Sequence, residues 1–222
     1  MVKEELSEEK EPIKVWKTSI TKTELAELPA ETFAGNISVV NDRKGLDEAV
    51  EYLKKSKALG FDTETKPSFK RGEHHTVSLL QLSDTRRCFL FRLNSLGLPE
   101  EVKQILEDEK ILKVGLSIHD DFLNLHKIFK FEPRGFVELQ TFVKDYNIAD
   151  NSLSRIYAIL FDKRISKGQR LSNWEAENLS EHQKQYAALD AQACLNIYNH
   201  LTKKGFDYLQ SKYYREFDEP QN

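Results

Sequence analysis

The seven residues 59–65, Leu-Gly-Phe-Asp-Thr-Glu-Thr, constrain the fold of this chain more than any other stretch. A short apolar run there ends in two carboxylates, Asp62 and Glu64, two positions apart. On a β-strand residues i and i+2 point to the same face, so both carboxylates face one spot at the end of a buried strand. Like charges held that close most commonly serve a divalent cation. The stretch therefore predicts a core strand with a cation site at its end.

Composition limits the class of protein. A chain of 222 residues that is 39% hydrophobic can form one ample domain. The formal net charge of −3 argues against a protein that coats nucleic acid non-specifically, but it allows an enzyme that binds a few phosphates. Cys88 and Cys194 lie in apolar segments and indicate core residues in a reducing compartment. No apolar run reaches membrane length and residues 1–14 lack a signal-peptide core, so we expect a cytoplasmic protein without a membrane span.

Hydrophobic periodicity predicts a chain of alternating strands and helices. We expect strands at about 37–40, 58–63, 76–82, 88–92, 111–115 and 136–139. We expect helices at about 23–28, 42–53, 99–106, 119–129 and, behind a Ser180–Gln183 capping box, 181–200. The helix at 119–129 should turn Phe122, Leu125, Ile128 and Phe129 inward, and the chain after about 142 should be mostly helical.

The order of these elements predicts an α/β domain. Three strands in an antiparallel meander, followed by alternating helices and strands, form a mixed sheet covered by helices. We expect a charged flexible segment at 1–20, the domain at 21–208 and a polar tail at 209–222.

Further acidic residues fall where strands end or helices begin. Asp121 lies in the first turn of the helix after the 111–115 strand. Tyr186 and Asp190 are four residues apart on the last helix, so they share a helical face and can meet one site. With Asp62 and Glu64, these residues predict an acidic site built from distant parts of the chain.

Three segments resemble the motifs of a known family. They are Phe61-Asp62-Thr63-Glu64, the segment from Val114 to Asp121, and Tyr186-Ala187-Ala188-Leu189-Asp190-Ala191. Together they resemble the DEDD 3′–5′ exonuclease superfamily, and the Tyr-x-x-x-Asp spacing resembles its tyrosine subclass, which includes ribonuclease D and Werner-type exonuclease domains. Residues 70–72, 77–82 and 172–174 also resemble Werner-type segments in the same order. The resemblance covers about residues 36–204.

The resemblance implies a fold, a reaction and a set of site residues. The fold would be ribonuclease H-like, with a mixed sheet of five to six strands flanked by helices. Asp62, Glu64, Asp121 and Asp190 would hold two divalent cations, Mg²⁺ or Mn²⁺, with Asp62 between them, and Tyr186 would orient the attacking water. Phosphodiester bonds of DNA or RNA would be hydrolysed from the 3′ end, releasing nucleoside 5′-monophosphates. The family pattern selects Asp121 over Asp120 as the ligand.

Other residues are expected to contact the nucleic acid substrate, and each has a purely structural alternative. The set comprises Thr63, Lys70, Arg71, His119, Arg170 and Trp174. The basic stretch 66–75 is alternatively a plain solvated loop, and Trp174 alternatively packs under the last helix. Glu138 stands where the family often has aspartate, outside the four metal acids.

Two other functions remain open at this point. One is an RNA-specific 3′-trimming ribonuclease, since the motifs do not reveal contacts to the 2′-hydroxyl. The other is a catalytically idle nucleic-acid-binding or scaffold module on the same fold, against which the intact acids and Tyr186 argue. After about residue 205 there is no room for the helical modules that follow the exonuclease domain in ribonuclease D. With net charge −3, an exonuclease domain without such modules should bind nucleic acid weakly and act distributively. A protein partner or a short oligonucleotide substrate would fit this behaviour.

Overall fold

The computed structural model describes residues 18–203, so most of the predicted flexible segment and the whole predicted tail lie outside the described residues. Residues 18–20, assigned to that segment from the sequence, are held against the domain. The carbonyl of Thr18 accepts a hydrogen bond of 2.8 Å from the amide of Ala149. The amide of Ile20 donates to the carboxylate of Asp150 at 2.9 Å. The attached chain therefore begins slightly earlier than the sequence predicted.

Six strands and eight α-helices make up the regular structure of residues 18–203. The strands are β1 (Asn36–Val40), β2 (Ala58–Thr65), β3 (Val77–Ser83), β4 (Arg87–Arg92), β5 (Leu112–Gly115) and β6 (Phe136–Glu138). The helices are α1 (Lys22–Glu27), α2 (Arg43–Leu53), α3 (Leu93–Leu96), α4 (Glu100–Glu107), α5 (Ile118–His126), α6 (Leu139–Phe142), α7 (Leu153–Phe161) and α8 (Glu181–Leu201), with a 3₁₀ turn at Val143–Tyr146.

The strands form one mixed sheet in the order β1-β4-β3-β2-β5-β6. β2, β3 and β4 are the predicted antiparallel meander, while β1 pairs with β4, β5 with β2 and β6 with β5 in parallel. The predicted mixed α/β sheet is confirmed. β2 lies inside the sheet between β3 and β5, so the strand that carries the two acids is paired along both edges.

Each face of the sheet has its own hydrophobic core. On one face α7 and α8 pack over Leu79, Leu90 and Val114. On the other face α2, α4 and α5 pack over Leu59, Phe61 and other strand residues that point to that side. Because β2 alternates between the faces, Asp62 and Glu64 face α8, whereas Phe61 and Thr63 face α5.

The structure corrects part of the predicted helical pattern. α5 ends at His126, before the predicted 129, and Ile128 is 37% exposed although the pattern placed it inward. Leu125 is fully buried as expected, and Phe131 enters the core after the helix has ended. The chain after 142 is helical in α7 and α8, but residues 162–180 between them contain no helix or strand. Within the described part of the chain, no helix is both long and apolar enough to span a membrane.

Candidate active site

Three carboxylates converge at the end of β2. Asp62, Glu64 and Asp190 each offer one oxygen, and these oxygens all lie within 4.8 Å of one another. The first two come from the strand, and Asp190 comes from α8, which packs on the same face of the sheet. We call these three residues the acid cluster. It brings together three of the four acids predicted from the sequence and has the donor chemistry of a divalent-metal site.

The acid cluster is electrostatically crowded. Burial raises the pKa of Asp62 well above its usual range, and the neighbouring acids raise it further. Burial and then the charges of Asp190 and Asp121 raise the pKa of Glu64 to about 9. Burial raises the pKa of Asp190 to about 7, against the opposing effects of the Tyr186 hydrogen bond and, less strongly, the Lys167 ammonium. Such crowding is relieved by protons or by bound cations, so the cluster is suited to hold a metal ion.

Asp121, the fourth predicted acid, reaches this end of β2 from the other face of the sheet. It lies in the first turn of α5, and its carboxylate accepts a hydrogen bond from the Thr63 hydroxyl. Burial raises the pKa of Asp121 to about 7, although the Thr63 hydrogen bond acts in the opposite direction. The neighbouring Asp120 is exposed, which agrees with the choice of Asp121. Thr63 is thus placed to hold Asp121, and its predicted contact with substrate stays a prediction.

Glu138 fixes the start of α5. Its two carboxylate oxygens accept hydrogen bonds from the amides of Ser117, at 3.0 Å, and Ile118, at 2.8 Å. Ser117 has a left-handed backbone with φ 62°, which turns the chain sharply out of β5. A carboxylate at a helix N-terminus also complements the helix dipole. Sequence reasoning gave Glu138 no role, because its partners lie on a different element.

Tyr186 and Trp174 pack against each other beside the acid cluster. Their ring centroids are 6.0 Å apart, and Trp174 is completely buried. The structure therefore places Trp174 under α8, as in the structural alternative, and not on a surface that a substrate can contact. Burial and the charges of Asp190 and Glu64 raise the pKa of Tyr186 above its usual value near 10. Its hydroxyl consequently keeps its proton and donates a hydrogen bond to the Asp190 carboxylate.

The two loops beside the acid cluster are joined by a set of charged contacts. Nδ1 of His75 lies 2.8 Å from the carboxylate of Glu175, and Nε2 lies 3.1 Å from that of Glu73. The Lys66 ammonium lies 3.5 Å from Glu175. The guanidinium of buried Arg92 donates to the carbonyls of residues 176 and 177 from beneath. The loop 66–76 and the segment 172–178, which carries Trp174, therefore form one unit that the sequence did not predict.

The remaining predicted substrate residues are on the surface. Lys70, Arg71, His119 and Arg170 are all exposed. Phe69, next to Lys70, exposes 75% of its surface, and sequence reasoning gave it no role. An exposed aromatic beside basic residues is a pattern that suits nucleic-acid bases and phosphates.

Comparison with known proteins places the chain in a family. Residues 37–205 match the family of 3′–5′ exonuclease domains. The chain is 33% identical over 188 residues to the bifunctional 3′–5′ exonuclease/ATP-dependent helicase WRN of Mus musculus, a match covering 80% of this chain and 13% of that protein. It is 27% identical to ribonuclease D of Haemophilus influenzae, with 75% of this chain and 41% of that protein covered. The chain thus corresponds to less than half the length of each of these relatives.

Solved structures share the same fold. The EXO domain of Aedes aegypti Nibbler matches with a TM-score of 0.72 at 20% identity, covering 81% of this chain and 96% of that one. Ribonuclease D of Escherichia coli matches with a TM-score of 0.67 at 21% identity, covering 75% of this chain and 44% of that one. The predicted ribonuclease H-like architecture is confirmed by these neighbours. From its motifs, its fold and the match over residues 37–205, the chain belongs to the 3′–5′ exonuclease family.

Proposed function

We propose that this protein is a metal-dependent 3′–5′ exonuclease that hydrolyses phosphodiester bonds from the 3′ end of a polynucleotide and releases nucleoside 5′-monophosphates. The observation that carries the proposal is the acid cluster, in which oxygens of three carboxylates lie within 4.8 Å of one another. A fold that brings like charges together at the end of a core strand gains nothing in stability from it, so the arrangement points to a ligand of opposite charge.

The residues present fit divalent cations. The Oδ1 atom of Asp190 is buried and has no hydrogen-bond partner within residues 18–203, so a strong acceptor is left open toward the cluster. Carboxylate oxygens are the ligands that Mg²⁺ and Mn²⁺ prefer. We propose that Asp62, Glu64, Asp190 and Asp121 would hold two such cations. Bound there, they would activate the attacking water and stabilise the leaving oxygen.

Tyr186 would orient a reacting group without acting as a general base. Because its pKa is raised, the phenol stays protonated at neutral pH and cannot accept the proton of the attacking water. Its hydroxyl donates to the Asp190 carboxylate and would redirect that hydrogen bond to orient the attacking water or the scissile phosphate. The buried Trp174 packs against the Tyr186 ring and holds that ring in place.

Exposed cations on the loop 66–76 and just before the segment 172–178 would bind the substrate backbone. Lys70, Arg71 and Arg170 are solvated, so they can approach phosphates without being desolvated first. With a net charge of −3, this local binding is weak overall, and we propose that a protein partner or a short substrate compensates for it. DNA is one candidate substrate. RNA is the other, because ribonuclease D of Trypanosoma brucei, which shares the fold, was solved in complex with RNA U12.

The test is a degradation assay with defined ends. Single-stranded DNA, 3′-recessed duplex DNA and RNA, each labelled at the 5′ or the 3′ end, are incubated with the protein in Mg²⁺, Mn²⁺ or EDTA. We expect stepwise shortening from the 3′ end in a divalent metal and none in EDTA or with Asp62→Ala. If no substrate shortens in either metal, the proposal fails. If Asp62→Ala and Asp121→Ala degrade as fast as the unmodified protein, the site is elsewhere.

A further inference from the structure

Gln81 is a buried amide that the metal-free fold leaves without a partner. It lies in the middle of β3 and is completely buried. Neither its Oε1 nor its Nε2 has a hydrogen-bond partner within residues 18–203. An unsatisfied buried polar group is destabilising, and nearly all such groups in native proteins are paired. Gln81 therefore needs a partner that residues 18–203 do not supply.

The register of the sheet puts Gln81 next to the acid cluster. In the antiparallel pair of β2 and β3, Gln81 stands directly opposite Asp62. Directly opposite residues point to the same face, and their Cβ atoms are about 4.5–5.5 Å apart. On its other side, Gln81 stands opposite the apolar Leu90 of β4. Of the two cross-strand neighbours of Gln81, Asp62 is the polar one.

The other residues on this pleat offer the amide no charged acceptor, because a donating hydroxyl presents only a neutral oxygen. Leu79, two residues before Gln81 on the same face, is apolar and fully buried. Ser83, two residues after it, already donates its hydroxyl to the carbonyl of Asp84 at 2.8 Å. The acids of the cluster are therefore the strongest acceptors within reach of the Nε2 group.

We propose that Gln81 is a positioning residue for the cation site, whose amide nitrogen donates to the Asp62 carboxylate when divalent cations are bound. A carboxylate that turns one oxygen to a cation has a second oxygen that needs a donor, and ligating carboxylates are generally held in this way. Gln81 is on the correct strand, on the correct face and unpaired. This inference rests on the proposed function, because it requires that Asp62 be a cation ligand.

The substitution Gln81→Met tests the inference through two effects of opposite sign. Methionine keeps the length and volume of the side chain but removes both polar atoms. In EDTA the variant should melt about 2–6 °C higher than the unmodified protein, since an unsatisfied amide has been removed. In a calorimetric titration its affinity for Mn²⁺ should be about 10-fold weaker, because Asp62 is no longer held. Leu90→Met alters the same layer without a polar change and should bind Mn²⁺ as the unmodified protein does.

The alternative outcomes identify which idea fails. Unchanged Mn²⁺ affinity in Gln81→Met, or a lower melting temperature in EDTA, overturns the role of Gln81, because the amide would then be structural. Gln81→Asn retains the amide but is one methylene too short, and it should also bind Mn²⁺ more weakly. Should Asp62→Ala bind Mn²⁺ as tightly as the unmodified protein, the proposed function itself fails. Loss of Mn²⁺ binding in Asp62→Ala together with full binding in Gln81→Met would refute only the inference.

Discussion

Gly60 lies directly against the backbone of Ala191, and a Cβ atom at residue 60 would come within 1.8 Å of the Ala191 carbonyl oxygen. Gly60 precedes Asp62 by two residues on the same face of β2, and Ala191 follows Asp190 on α8. The absence of a side chain at residue 60 therefore allows the helix to approach the strand closely enough for their carboxylates to meet. The geometry of the acid cluster depends on this glycine.

Gly60→Ala should separate α8 from β2. Because the clash is with backbone and not with a flexible side chain, the helix must shift, and we expect a loss of roughly 2–3 kcal/mol in the free energy of unfolding. Gly168→Ala is the control, since a Cβ there makes only ordinary contacts, the nearest at 3.5 Å. Urea denaturation measures both variants. Equal stability of Gly60→Ala and the unmodified protein would contradict this account of the contact.

The stability of the metal-free protein should fall as pH rises through the neutral range. The pKa values of Asp121 and Asp190 are raised to about 7 and that of Glu64 to about 9, against about 4 in an unfolded chain. A group with a raised pKa binds its proton more tightly in the folded state, so its stabilising contribution is complete below about pH 4 and is lost as pH rises through the folded value.

Denaturation in EDTA between pH 5 and pH 9 measures this dependence. Other groups also titrate, so the decisive comparison is with Asp62→Asn, which removes one charge from the acid cluster. The variant should gain stability relative to the unmodified protein as pH rises, by roughly 1–3 kcal/mol at pH 8. Saturating Mn²⁺ should remove the advantage. Parallel pH profiles for the two proteins would show that the acids are not crowded in solution.

Thr63→Val should weaken the site by releasing Asp121. Valine retains the branched shape but has no hydroxyl to donate, so we expect kcat to fall by about 10- to 100-fold in the degradation assay. Thr63→Ser retains the hydroxyl and should restore most of the rate. The reverse pattern, an active valine variant and an impaired serine variant, would show that only the packing of the methyl group matters. A rise in KM with kcat unchanged would favour the substrate-contact role predicted from the sequence.

Tyr186→Phe should slow hydrolysis by about 100-fold while leaving Mn²⁺ affinity unchanged. The phenyl ring still packs on Trp174, so only the donated hydrogen bond is removed. Since the raised pKa keeps the phenol protonated, the rate of the unmodified protein should show no increase attributable to tyrosine ionisation near pH 10. Calorimetric loss of Mn²⁺ binding in the variant would argue against a purely orienting role.

Glu175→Gln should loosen the two loops beside the site. The substitution keeps the shape of the side chain but removes the charge that faces His75 and Lys66. We expect faster proteolytic cleavage within the loop 66–76 and a KM for oligonucleotides raised a few-fold, because the exposed Lys70 and Arg71 lose their fixed positions. Glu181→Gln, which removes an exposed charge paired with Lys184, is the matched control. Unchanged cleavage and KM would show that these ion pairs do not hold the loops.

Local sequence pattern was sufficient for the parts of the site that depend on spacing. The two-residue period of a strand aligned Asp62 with Glu64, and the four-residue period of a helix aligned Tyr186 with Asp190. Contacts between distant residues could not be found in this way. Thr63 and its partner Asp121 are 58 residues apart, and the choice of that partner depends on which face of the sheet α5 covers. The burial of Trp174 likewise depends on the path of residues 162–180, where no periodic pattern exists.

The sheet explains other differences between prediction and structure. Gln81 looked like an ordinary strand residue, since only the pairing of β3 with both β2 and β4 buries it completely. Ile128 fitted the apolar stripe of a helix, but the helix ends before it reaches that position. Periodicity identified the elements, while the neighbours of each element determined which side chains are enclosed.

The position of α8 in the chain also determines when, during synthesis, the acid cluster can form. Asp62 and Glu64 are synthesised early. The face of β2 around Gly60 stays uncovered by α8 until residues 181–201 have been synthesised. A chain interrupted before that point carries neither Asp190 nor Tyr186 and lacks the helix that covers one face of the sheet. The site is thus completed late, by the last helix of residues 18–203, and chains that end before this helix cannot form it.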